Sequence, residues 1–102
     1  MSNKSPEAFR TISEVSKDLA IPQHVLRFWE TKFKDLNPIK KNKGSRYYSK
    51  DQIDLLKKIK YLLYEKKLTI KGAIQNIEEF DTQKKIIIDE IKELINEIKN
   101  NL

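Results

Sequence analysis

Apolar residues return at helical spacing in several stretches of the chain, and one interval between them reads instead as two short strands. Ile12, Val15 and Leu19 stand three and four apart, so a first helix opens near Thr11 to Ser13. Thr11 with Glu14 three residues on is a capping-box pattern, and Ser13 is a competing N-cap. A second helix runs from about Pro22 to Phe33, where a proline fits the first turn because the N–H it lacks would be unpaired there. Leu26, Trp29 and Phe33 face its core side, while Gln23, His24, Arg27 and Phe28 fall on another face. Two short helices joined by a tight turn form a helix-turn-helix pattern. In that arrangement the second helix can enter a major groove, where Gln suits adenine edges and Arg suits guanine or phosphate. The same spacing also describes an ordinary helical hairpin with a solvated face.

Asn37-Pro38 ends that unit, and IKKNKGSRYY then reads as a basic hairpin around Asn42-Lys43-Gly44, with Gly44 available for a positive φ. So short a hairpin must lean on the helices to be stable. Its Lys and Arg side chains are placed for phosphates; a charge-protected sheet edge is the plainer alternative. Ser49 to Gln52 is a second capping box, opening a helix that turns Ile53, Leu56, Ile59, Leu62 and Leu63 inward and reaches about Lys66. Thr69 opens a fourth helix with Ile70, Ala73, Ile74 and Ile77 on its apolar face. A break at Asp81-Thr82 and a final helix from Gln83 to Leu102 are predicted next. In that last helix Ile88, Ile91, Ile95, Ile98 and Leu102 keep a three-four rhythm, widened by Ile87 and Leu94. This is a coiled-coil seam of under three heptads, about 30 Å long, suited to pairing with a second copy. The predicted fold is mainly α, a winged helix-turn-helix with a small hairpin wing and a C-terminal coiled-coil helix. Residues 1–10 form a flexible arm, 11–80 the binding domain and 81–102 the dimerisation helix.

Charge sharpens this picture. The 102 residues carry a net charge of +6, and residues 1–80 hold 17 Lys/Arg against 10 Asp/Glu, while residues 81–102 hold 4 against 5. The positive field therefore belongs to the first eighty residues, and between Lys32 and Lys50 seven basic residues face one acid, Asp35. An anionic partner, double-stranded DNA first, follows from that distribution. The chain has no cysteine, which excludes disulfides, zinc ribbons and thiolate sensing. One histidine and no clustered carboxylates predict no metal and no cofactor, and His24 has no acid or nucleophile partner at motif spacing, so no enzyme is expected. No apolar run reaches a membrane-spanning length and the N-terminus lacks a signal-peptide core, so a cytoplasmic, nucleoid-associated protein is expected.

Four segments in order resemble MerR-type transcriptional regulators: TISEV at 11–15, LRFWE at 26–30 where the family commonly has Leu-Arg-Tyr-Tyr-Glu, GSRYYS at 44–49 where it has Gly-Tyr-Arg-X-Tyr-Ser, and LTIKGAI at 68–74. PQHVLRFWETKF and the TIKG segment are similar to a group of short alphaproteobacterial members. The resemblance implies a winged helix-turn-helix whose second helix reads the major groove, with Lys40–Tyr48 as the wing. It maps Arg27 and Arg46 to the DNA backbone, Tyr48 to DNA contact or bracing of the wing, and Gln23 and His24 to base reading. The full candidate DNA-binding set is Lys17, Gln23, His24, Arg27, Phe28, Lys40, Lys43, Arg46, Tyr47 and Tyr48, and the dimerisation set is Ile88, Ile91, Ile95, Ile98 and Leu102. The family acts as a homodimer and activates by bending and untwisting a promoter, which brings in RNA polymerase as a further partner.

The chain departs from that pattern in places. Pro22 stands where a capping serine is frequent, Phe28-Trp29 replaces a tyrosine pair, and Lys67 stands where a glycine often closes the third helix. No effector-sensing segment is expected after the coiled coil. Two rivals use the same residues: an architectural, chromosome-anchoring or excisionase-like protein, and a coiled-coil adaptor whose basic domain binds an acidic protein.

Overall fold

The structure, a computed structural model, describes residues 8–101. Its elements are β1 (Arg10–Thr11), α1 (Ile12–Leu19), α2 (Gln23–Lys32), β2 (Ile39–Lys41), β3 (Ser45–Tyr48), α3 (Lys50–Lys60) and α4 (Ile70–Asn100), and the chain divides into two units after Leu68.

In the first unit the three strands form one antiparallel sheet in the order β1-β3-β2. The wing is therefore three-stranded. Arg10 pairs with Tyr48 and Thr11 with Tyr47, so the arm expected to be loose through residue 10 is laddered to β3 at its end. The rest of that arm, residues 1–7, lies outside the described residues. Thr11 then caps α1 as its spacing predicts: its Oγ1 accepts from the Glu14 N–H at 3.2 Å and its own N–H donates to Glu14 Oε1 at 3.0 Å. At the other end Ala20 takes a left-handed conformation, φ 55°. The N–H of Ala20 returns to Lys17 O and that of Ile21 to Ser16 O, and Lys60 Nζ donates to Leu19 O at 2.6 Å. These bonds cover the carbonyls that a helix end leaves open and put a cation where the helix dipole favours one.

Pro22 stands one place earlier than predicted, at the N-cap of α2, where its carbonyl accepts from Val25 and Leu26. Leu26, Trp29 and Phe33 are buried as expected, as are Leu36, Leu56 and Ile59. Trp29 also takes the edge of Tyr64, ring centroids 6.2 Å apart. The box predicted over Ser49–Gln52 forms only by half. Ser49 Oγ accepts from the Gln52 N–H, but the Gln52 amide is drawn to the loop after α2, where it accepts from the Asn37 N–H and donates to Asp35 O. The third helix ends in a wider turn over Tyr61–Glu65, and Lys67 is left-handed at φ 59° without a glycine. The N–H of Leu68 closes that turn on Leu62 O.

The second unit is α4, one helix of 31 residues capped by the Thr69 hydroxyl on the Gly72 N–H. The break expected at Asp81-Thr82 is absent. Neither residue forbids helical geometry as proline would, and Thr82 returns its hydroxyl to Glu78 O at 3.0 Å, four residues back on its own helix. Ala73 and Ile77 are buried, while Phe80, Ile88, Ile91, Leu94, Ile95 and Ile98 are exposed. Leu102, the last of the predicted seam, lies outside the described residues. Among the described residues no helix is long and apolar enough to cross a membrane.

Candidate nucleic-acid interface

Helix α2 supplies one half of the site. Its core stripe leaves Gln23, His24, Arg27 and Phe28 together on the exposed side, as the spacing predicts. Phe28 is not loose there: Lys32 Nζ sits 5.5 Å from its ring centroid, and Thr31 Oγ1 donates to its carbonyl. The face offers an amide, an imidazole, a guanidinium and an aromatic ring to a groove. Lys17 is exposed near the end of α1.

The hairpin supplies the other half, and strand alternation sorts its side chains into two sets. Ile39 pairs with Tyr47, Lys40 with Arg46 and Lys41 with Ser45. Lys43 and Gly44 make the turn with φ of 61° and 79°, conformations that a glycine adopts freely and a lysine does not. Because side chains alternate across a strand, Arg46 and Tyr48 share the inner face with Lys40, and Ile39, Lys41 and Tyr47 share the outer one. Lys41 Nζ lies 5.7 Å from the Tyr47 ring centroid on that outer face.

The inner face meets Glu30 of α2. Lys40 Nζ reaches Glu30 Oε1 at 2.5 Å and Arg46 Nε donates to Glu30 Oε2 at 2.7 Å, with the Glu30 side chain only 9% exposed. Burial alone pushes the Glu30 carboxyl up, but the two hydrogen bonds and the two positive charges outweigh it and hold the group below its ordinary value. Arg46 Nη1 also donates to Gly44 O at 3.2 Å, tying the turn to the same guanidinium.

Three of the candidates therefore stand differently from their expected places. Tyr48 is fully buried and offers no surface to a duplex, so of its two implied roles the structure leaves bracing of the wing. Arg46 points inward onto Glu30, and Lys40 shares that carboxylate while its side chain stays 55% exposed. Burial, helped by the Glu30 charge, pushes the Tyr48 hydroxyl up to about 12, with Arg46 and Arg27 pulling the other way. Lys41, counted in the basic stretch but not in the candidate set, is exposed and pairs opposite Ser45, out of phase with Arg46.

Among the described residues no cluster of acids or histidine could hold a metal ion. Comparison with curated proteins and with solved structures gives no match. Residues 10–79 match the family described as MerR HTH family regulatory protein, a span that takes in α1, α2, the wing and α3. With well over half its length inside that match, the chain belongs to the MerR family of DNA-binding transcriptional regulators.

Proposed function

We propose that the protein binds duplex DNA in a sequence-specific manner as a homodimer, with α2 of each protomer in a major groove and the wing over the flanking phosphates. The observation that carries this reading is the joint exposure of Gln23, His24, Arg27 and Phe28 on one helix face beside a basic hairpin. Gln23 and His24 are the base-reading residues, Arg27 meets a phosphate or guanine, and Phe28 packs against a thymine methyl. Lys17, Lys41, Lys43 and Tyr47 meet the backbone. The wing's position on the groove edge is what Tyr48 and the inner cations maintain.

Dimerisation rests on α4. Ile88, Ile91, Ile95 and Ile98 are between 41% and 62% exposed along one stripe, with Leu94 beside them. Covering such half-exposed isoleucines contributes about 1 kcal/mol each, so eight of them across two copies supply roughly 8 kcal/mol, within the range that association costs. A two-fold dimer reads a pseudo-palindrome. Control of a promoter then comes either from bending and untwisting it under RNA polymerase or from occluding it.

Selection of bound fragments from a random duplex library at about 0.15 M salt tests this reading. One pseudo-palindromic motif is the expected result. Bound DNA without a motif would replace it with an architectural role, and no bound DNA would leave the basic face to an acidic protein.

A further inference from the structure

We propose that Glu30 is a positioning residue that clasps the wing to the reading helix, and that Arg46 serves this clasp rather than the DNA backbone. The consequence for DNA rests on the binding mode proposed above; the clasp itself does not. Lys40 and Arg46 face each other across β2 and β3, so a carboxylate that takes one oxygen to each holds both strands at once. Arg46 extends the hold to the turn through Gly44 O. β2 is an edge strand, paired with β3, and Lys40 ties it to Glu30 of α2.

Glu30 also has the right place on α2. It follows Arg27 by three residues, which sets it on the border between the buried stripe and the exposed face. A shift of the wing is thereby transmitted to the helix that carries Gln23 and His24. The spacing between groove contacts and phosphate contacts then depends on this carboxylate as well as on Tyr48 in the core.

Arg46 is turned to the inner side: its Nε is on Glu30, its Nη1 is on Gly44 O, and its side chain is only 20% exposed. Lys40 is different. Its ammonium is compact and the side chain is 55% exposed, so it can keep Glu30 and still present donors to solvent. The wing's phosphate contacts then fall to the outer face and the turn, Lys41 and Lys43, with Lys40 in support.

The test uses the full chain in two measurements. The first is amide hydrogen exchange over residues 39–48 without DNA, for the wild type, Glu30→Gln and Arg46→Ala. Exchange on the order of tenfold faster in both variants, with α1 and α3 unchanged, is expected; unchanged exchange in the hairpin overturns the clasp. The second is the salt dependence of binding to a labelled duplex between about 50 and 200 mM. Arg46→Ala should leave the slope of log K against log salt as it is, while Lys43→Ala lowers it by about 0.9. Glu30→Gln frees a guanidinium and should hold or steepen the slope while the preference for a selected site over random duplex falls. A slope lowered by about one unit in Arg46→Ala overturns the assignment of Arg46, whatever the exchange shows. Loss of folding alone would lower the active fraction without moving the slope. Wild-type protein that binds no DNA would remove the binding mode, and hydrogen exchange would still decide the clasp.

Discussion

Tyr48→Phe removes one oxygen from the middle of the sheet, and the structure predicts that the protein becomes more stable. The Tyr48 ring is fully buried, and its hydroxyl has no hydrogen-bond partner among the described residues. A buried polar group left unsatisfied costs about 1–3 kcal/mol, and phenylalanine keeps the ring that fills the site. A gain of about 1–2 kcal/mol follows, which for a domain of this size raises the thermal midpoint by roughly 4–8 °C for each kcal/mol. Urea and thermal unfolding followed by circular dichroism, at one fixed protein concentration, would read it. The gain should also grow with pH. Tyr48 is raised to about 12 in the folded protein from an ordinary value near 10. Between those values the unfolded chain releases the proton and the folded one keeps it, so the wild type loses stability as pH rises through that window. Tyr48→Phe escapes this loss, and the difference between the two proteins isolates it from other titrating groups. Affinity for DNA and its salt slope should be unchanged. A variant less stable than wild type by about 1 kcal/mol would show that the hydroxyl is bonded after all. Loss of DNA binding with the fold intact would return Tyr48 to the interface.

Other substitutions probe other parts of the chain. Ala20→Gly should add about 1 kcal/mol in urea unfolding, since a left-handed φ of 55° costs alanine what it does not cost glycine; no gain would mean the turn after α1 is not held in that conformation. Arg27→Ala should weaken binding to all duplexes and lower the salt slope by about one unit, and an unchanged slope would remove it from the backbone contacts. Ile91→Asp with Ile95→Asp should leave the helix-turn-helix unit folded and the protein monomeric by sedimentation; a persisting dimer would place the interface elsewhere.

The helical part of the fold was legible because its signals are local. Thr11 with Glu14, and Leu26 with Trp29 and Phe33, are patterns that one turn of helix explains by itself. What the sequence concealed was long-range. Arg10 joins the sheet only because Tyr48, 38 residues later, presents an open ladder edge. Gln52 abandons half of a local capping box for carbonyl and amide groups in the loop after α2. The continuity of α4 through Asp81-Thr82 was within reach, since neither residue is a helix breaker of the order of proline. Left-handed Lys67 was marked only by the resemblance, which often has a glycine there, since lysine itself does not favour that conformation.

The exposed face of α2 was legible in the sequence, and the inward turn of two wing side chains was not, for a reason that lies in strand geometry. Arg46, Tyr47 and Tyr48 are consecutive in one strand, so they cannot all face a duplex. Once Tyr48 is in the core, Arg46 is on the core side and Tyr47 on the other. The same reasoning limits what net charge says about affinity. Of the cations in the first unit, Arg46 and Lys40 lie on Glu30, Lys60 covers a helix carbonyl and Arg10 lies beside Asp18. Counterion release counts the phosphates that a protein neutralises, not the lysines and arginines it contains. A basic domain can therefore spend much of its charge on its own architecture, and in the proposed binding mode the salt dependence falls mainly to cations still turned outward, Arg27 and Lys43 among them.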